Sequence, residues 1–148
     1  MTRHDDIVRL RHMLDHAREA VAMVAGRKRA DLQSERMLEL ALVRLIEIVG
    51  EAAARVSPEG QARYPLIPWR EVVEMRNRLV HGYDSVDLDV LWDTIEDDLP
   101  PLIAELERIL GETEQGDVNS VSSPLLKCKR RWRGGRKEES RDTNQKNL

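Results

Sequence analysis

The sequence predicts an all-α fold: an antiparallel four-helix bundle with room for one short extra helix, followed by a disordered C-terminal tail. Three observations predict it. Apolar residues recur every three or four positions in four separate segments. The core has to be built from Leu, Ile, Val, Ala and Met, because Phe is absent, and these residues with abundant Glu and Arg favour helix over strand. The periodicity stops after Gly111, which divides the 148 residues into a bundle, 1–111, and a basic tail, 112–148.

The first helix is expected from about Asp5 to Ala25. Ile7, Leu10, Leu14, Ala17, Val21 and Val24 form one apolar stripe, and Gly26 with Arg27, Lys28 and Arg29 suits a helix C-terminus. The second is expected from about Asp31, as N-cap, to Val56. Leu38, Ala41, Leu42, Leu45, Val49 and Ala52 form its inner face, and Met37, Leu40 and Ile48 widen that face, as in a helix buried between neighbours. Ser57-Pro58, Gly60 and Pro65 punctuate a loop with room for one helical turn.

Pro68 suits the first position of the third helix, which carries Trp69, Val72, Val73, Leu79 and Val80 on one side and ends near Gly82. The fourth begins at Asp87 as N-cap and keeps phase from Leu88 to Leu110. Pro100 within it cannot donate to the Glu96 carbonyl, so a kink or break is expected there.

Composition narrows the function classes. No apolar run approaches the roughly 18 residues of a membrane span, and the N-terminal residues lack the order of a signal peptide. A lone cysteine, Cys128, excludes an intrachain disulfide and a zinc cluster of cysteines. A cytoplasmic protein with no membrane partner is expected. Residues 1–111 carry a net charge of −6 and residues 112–148 a net of +3. An acidic body argues against broad, non-specific phosphate binding and leaves room for a local basic cleft. The basic run Lys127–Arg133 reads as a solvated tail.

The segment that carries chemistry is Met75-Arg76-Asn77-Arg78-Leu79-Val80-His81-Gly82-Tyr83. Arg76 falls in phase with the apolar residues of the third helix. An inward guanidinium requires an anionic partner or an opening onto a cleft. Arginine grips phosphate oxygens in a bidentate fork and stabilises charge that develops on them. Histidine moves protons near neutral pH. Tyr83 can donate to a phosphate or serve as an acceptor hydroxyl. The residues alone leave a second possibility open: a structural Arg76 paired with a second-helix carboxylate such as Glu51, and a surface His81.

Other chemistries have less behind them. His12 and His16 are four apart on the first helix but have no evident third ligand, and helix capping accounts for most of the acidic cluster from Asp84 to Asp98. No cofactor is expected. No glycine-rich phosphate loop, nucleophile elbow or nucleophilic cysteine motif occurs.

The spacing Arg76-x4-His81, with the polar Asn77 after the arginine and Tyr83 two residues past the histidine, resembles the HEPN superfamily, in particular the HepT-like toxins of two-gene, type VII-like toxin–antitoxin modules. Two further stretches share the likeness, Ile48-Val49-Gly50-Glu51-Ala52-Ala53 and Ile67-Pro68-Trp69, and together they span about residues 5–111. The resemblance implies a helical homodimer whose motif helices meet at a shared cleft, and a metal-independent endoribonuclease. In it Arg76 and His81 are catalytic, Asn77 and Glu51 are supporting, and RNA is the substrate. It also implies an MNT-domain nucleotidyltransferase antitoxin, in a larger hetero-oligomer with the toxin, that silences it by transferring AMP to Tyr83. The alternative within the same superfamily is a non-catalytic module that binds nucleotide, RNA or a partner protein.

Overall fold

The computed structural model describes residues 2–81 and 85–115, with the main chain alone at residues 80, 81 and 113–115. Helix α1 (Arg3–Val24) starts in a capping box. Thr2 Oγ1 accepts from the Asp5 N–H at 3.3 Å, and the Asp5 carboxylate accepts from the Thr2 N–H at 2.9 Å. Its buried face includes Leu10, Met13, Leu14, Ala17 and Val24, so the predicted stripe holds. Gly26, with φ of +73°, turns the chain out of the helix, as its position predicts.

The expected second helix is two. Helix α2 (Arg29–Ser34) and helix α3 (Arg36–Ala54) are separated at Glu35, whose φ of −115° and ψ of 87° are not helical. Asp31 is therefore not the N-cap of a long helix: it lies inside α2 and accepts from the Lys28 N–H at 2.8 Å. The break has a packing reason. On one continuous helix Leu32 and Leu38 would point about 120° apart, yet both are buried. Arg27 holds the corner by donating to both Glu35 carboxylate oxygens at 2.6 Å. Met37 and Leu40, expected on the inner face, are instead 83% and 51% exposed. The buried side of α3 is set by Leu38, Leu42, Leu45, Ile46, Val49 and Ala53, and the other two fall outside it.

The short extra helix is α4 (Pro58–Arg63), capped by Ser57 Oγ accepting from the Gly60 N–H at 3.0 Å. The same Ser57 ties α4 to α1. Buried Asp6 accepts from the Ser57 N–H at 2.9 Å and from its hydroxyl at 2.5 Å. A side chain at Gly60 would put a Cβ 2.5 Å from Asp6 Oδ2, so only glycine fits here.

Helix α5 (Trp69–Leu79) follows Pro68, whose carbonyl accepts from the Val72 N–H at 2.9 Å. The proline thus precedes the first turn rather than occupying it. The Trp69 indole N–H donates to the Gln61 and Tyr64 carbonyls at 3.0 Å each and seats the start of α5 on α4. The helix ends three residues short of Gly82. Val80 and His81 form strand β1, which pairs antiparallel with β2 (Ser85–Val86) in the register Val80↔Val86 and His81↔Ser85. β-Branched Val80 and Val86 favour this small ladder, and the Asp87 N–H closes it onto the Leu79 carbonyl at 2.8 Å.

Asp87 caps helix α6 (Leu88–Asp93), accepting from the Asp89 and Val90 N–H groups at 3.0 and 3.1 Å. The prolines neither stop the chain nor break its helical course. A π-helical turn, Thr94–Asp98, precedes helix α7 (Leu99–Gln115), and the Leu99 N–H bonds to the Thr94 carbonyl five residues back. The wider turn shifts the hydrogen-bond ladder just ahead of the two residues that have no N–H to give. Helix α7 runs four residues beyond Gly111, where an ion pair of 2.7 Å from Arg108 to Glu112 supports its last turns.

Among the described residues the bundle is all-α apart from the two-residue ladder. Helix α1 packs on α3 and α7, and α3 packs on α1 and α5. The core is aliphatic, as the lack of Phe predicts, and includes the fully buried Leu10, Leu42, Ile46, Leu79, Ile95 and Leu106. Helices α3 and α5 touch backbone to backbone at Gly50, where an added Cβ would lie 3.3 Å from the Val72 carbonyl oxygen. No helix among the described residues is long and apolar enough to cross a membrane.

Candidate active site

The close approach at Gly50 sets the position of Arg76. Three residues back along α3 is Glu47, and about one turn onward along α5 from Val72 is Arg76. Antiparallel helices bring the two together, and Arg76 Nε lies 3.9 Å from Glu47 Oε1. Arg76 is not on the buried stripe, as its phase had suggested. That stripe is Val72, Met75 and Leu79, and Arg76 projects about 70° from its centre. Its side chain is 64% exposed. The expected need for an anionic partner or an open cleft is met on both counts.

The anionic partner is Glu47 rather than Glu51. Glu51 pairs with Arg55 one turn on, at 2.9 Å. Both glutamates nevertheless line one open cavity of about 400 Å³ with Arg76. Helix α3 forms its floor, with Ile48 and Ala52 between the charged residues Arg44, Glu47, Glu51 and Arg55, and helix α1 adds Arg9 and His12. Four arginines face two glutamates, an excess of two positive charges on a chain whose net charge is −3. The cavity is therefore a local basic cleft on an acidic body.

The cleft is polar without being locked. Arg76 to Glu47 is a long pair between exposed groups, of the kind that contributes little to stability. The planar edge of Arg76 stays available for a bidentate grip on phosphate. Asn77 is exposed on the next position of α5. Arg78 belongs to a different environment. Burial pushes its guanidinium pKa down, and the carboxylates of Asp98, Glu71 and Glu74 pull it back up.

His81 leaves the helix and enters β1, where the pairing with Ser85 fixes its backbone. It sits five residues past Arg76, just beyond the end of α5. Tyr83 lies outside the described residues. The sequence reading missed Arg9, Arg44, Glu47 and Arg55. A signal was present: Arg44, Glu47, Glu51 and Arg55 are spaced by three and four, a charged stripe on one helix face.

Among the described residues no group of three or more His, Cys, Asp or Glu side chains is placed to hold a metal ion. His12 and His16 are joined locally, with the His16 Nδ1 2.6 Å from the His12 carbonyl oxygen.

Comparison with known proteins gives a consistent picture. A family model described as HepT-like, "Ribonuclease HepT-like", matches residues 13–109. "Probable ribonuclease HepT" of Thermococcus cleftensis is 37% identical over 79 residues, 53% of this chain and 72% of that one. "Putative RNase MJ1216" of Methanocaldococcus jannaschii is 27% identical over 121 residues, 82% of this chain and all of that one. "Putative RNase TTE0752" of Caldanaerobacter subterraneus is 32% identical over 101 residues, 68% of this chain and 90% of that one. No solved structure gives a significant match. The family model covers all of α3 and α5 and most of the bundle, including Arg76 and His81, and the chain belongs to the ribonuclease HepT-like family.

Proposed function

We propose that this chain is an endoribonuclease toxin that cuts RNA without a metal ion, with Arg76 and His81 as its catalytic residues. The bundle, residues 1–111, carries the activity, and the basic tail, 112–148, carries none of the chemistry. The observation that carries the reading is the exposed Arg76 on the wall of a basic cleft, five residues ahead of a histidine whose backbone is held in a strand. Membership of the ribonuclease HepT-like family supports it.

The reaction follows from the residue types. A base removes the proton from a ribose 2′-hydroxyl, and that oxygen attacks the adjacent phosphorus. The P–O5′ bond breaks as a 2′,3′-cyclic phosphate forms, and an acid returns a proton to the departing 5′-oxygen. Arg76 holds the phosphate and stabilises the charge that builds on its oxygens. His81 is suited to both proton transfers, and two copies facing across a two-fold axis supply base and acid at once. The exposed apolar Met37 and Leu40 on α3 support pairing of two chains. Asn77 orients His81 or the phosphate, and Glu51 supports the cleft by holding Arg55.

The partner in this reading is an MNT-domain nucleotidyltransferase antitoxin, which transfers AMP from ATP to the Tyr83 hydroxyl with release of pyrophosphate. The homodimer assembles with that antitoxin into a larger hetero-oligomer. A bulky, charged AMP two residues from His81 would keep RNA out of the cleft.

The test uses the purified full chain. It should cleave single-stranded RNA in EDTA, and His81→Ala should keep its helical circular-dichroism spectrum and lose cleavage. Co-expression with the antitoxin should add mass in AMP units at Tyr83, with no gain in Tyr83→Phe. Binding of RNA with no cleavage by the wild type would instead support the non-catalytic module.

A further inference from the structure

We propose that the cleft holds a second phosphate of the RNA strand beside the one at Arg76, with Arg9 of α1 as its main ligand and Arg44 of α3 assisting. The inference rests on the ribonuclease reading of the same site and adds to it a substrate-positioning subsite outside the Arg76-to-His81 motif.

The arginines of the cleft are unequally neutralised. Arg44 lies 3.3 Å from Glu47, Arg55 lies 2.9 Å from Glu51, and Arg76 lies 3.9 Å from Glu47. Arg9 shares the same cavity, yet among the described residues it has no carboxylate partner. Its Nε is enclosed by protein and makes no hydrogen bond among the described residues. A partly buried guanidinium without a counter-charge is costly to fold around. That cost makes sense where an anion completes the site.

Geometry sets the class of anion. From Arg44 to Arg55 the floor helix extends about 16 Å, which spans several nucleotides of a stacked strand at roughly 3.4 Å each. The cavity is open rather than closed around one small ion, and Ile48 and Ala52 give its floor an apolar strip against which a ribose or base can lie. A polyanion with apolar faces between its charges fits such a surface. The subsite reads the backbone and so positions the strand without selecting sequence. Arg9 is a positioning residue: it sets where the strand lies, and Arg76 and His81 act on the bond to be cut.

The test measures binding apart from cleavage. The probe is a 2′-O-methyl RNA oligonucleotide, which lacks the attacking hydroxyl and stays intact, titrated by fluorescence anisotropy across a salt series with the full chain. Arg9→Gln should weaken binding about tenfold and reduce the salt slope by about 0.7, the share of one single-strand phosphate contact. A purely structural role would not move that slope. Arg9→Lys should keep the slope. Arg44→Gln, at a more exposed position, should lower the slope too and serves if Arg9→Gln fails to fold. Arg18→Gln, at an arginine paired with Glu107 outside the cleft, should bind as wild type does. An unchanged slope in both Arg9→Gln and Arg44→Gln, or no binding of the probe by the wild type, would overturn the subsite. If the wild type binds the probe through Arg9 but leaves unmodified RNA uncut, the subsite stands and the ribonuclease reading fails.

Discussion

Arg76 on α5 and Arg108 on α7 are the same residue in two opposed settings. Arg108 is committed. It grips Glu105, whose side chain is only 1% exposed, and reaches Glu112 at 2.7 Å. The Glu105 contact raises its guanidinium pKa, against the opposing pull of desolvation, and Glu112 adds to the rise. Arg76 is uncommitted, two-thirds exposed and 3.9 Å from a glutamate that a second arginine already contacts at 3.3 Å. Position in a helical pattern thus does not separate an arginine locked into the fold from one left available. What separates them is whether a buried carboxylate has claimed the guanidinium.

That contrast yields paired variants. Arg76→Ala should lower RNA cleavage by about 100-fold or more, since it removes a group that stabilises charge in the transition state, and should barely move the melting temperature. Arg108→Ala should do the reverse. Removing the Arg108 ion pair to buried Glu105 should cost about 2 kcal/mol in denaturant titration, with cleavage by the remaining folded protein close to wild type. If Arg108→Ala lost cleavage and kept its stability, the contrast would be wrong.

A second comparison is between the open cleft and the closed junction near the start of α1, where Asp6, Ser57 and Gly60 meet. Gly60→Ala would force a Cβ to within 2.5 Å of Asp6 Oδ2 and should destabilise by about 1–3 kcal/mol in thermal unfolding. Gly50→Ala meets the Val72 carbonyl at a more tolerant 3.3 Å. It should cost less stability, but it should impair cleavage, because it spreads α3 from α5 beneath Arg76.

The smallest effect is at the N-terminus of α1. Hydrogen bonds from the Thr2 backbone and then its side chain hold the Asp5 carboxyl below its ordinary value of 3.8. The charged carboxylate is the form the fold prefers. Its contribution is therefore present above about pH 4 and is lost as the pH falls through the lowered folded-state value. Thr2→Ala should lower stability slightly at neutral pH, leave the most acid end unchanged, and so flatten the acid limb of the stability–pH curve.

Much of this fold was legible because period and caps are local signals. The stripe of α1, the capping role of Asp87, the turn at Gly26 and the short helix after Ser57 all follow from residues within a few positions of one another. What was not legible depends on neighbours far along the chain. The corner at Glu35 exists because Leu32 and Leu38 must both find the core. The ladder that takes up His81 requires Val86 opposite Val80. The exposure of Arg76 depends on where α3 crosses α5 at Gly50. The stripe of Arg44, Glu47, Glu51 and Arg55 looked like any solvated helix face until Arg9 and Arg76 arrived from α1 and α5 to make it a cleft.

The most direct test of the central claim is mass spectrometry of the RNA ends left by the purified full chain in EDTA, with His81→Ala alongside. Fragments ending in a 2′,3′-cyclic phosphate with 5′-hydroxyl partners, and none from His81→Ala, are the predicted result. Fragments with 3′-hydroxyl and 5′-phosphate ends, or an undiminished yield from His81→Ala, would contradict attack by the ribose hydroxyl and the role of this histidine.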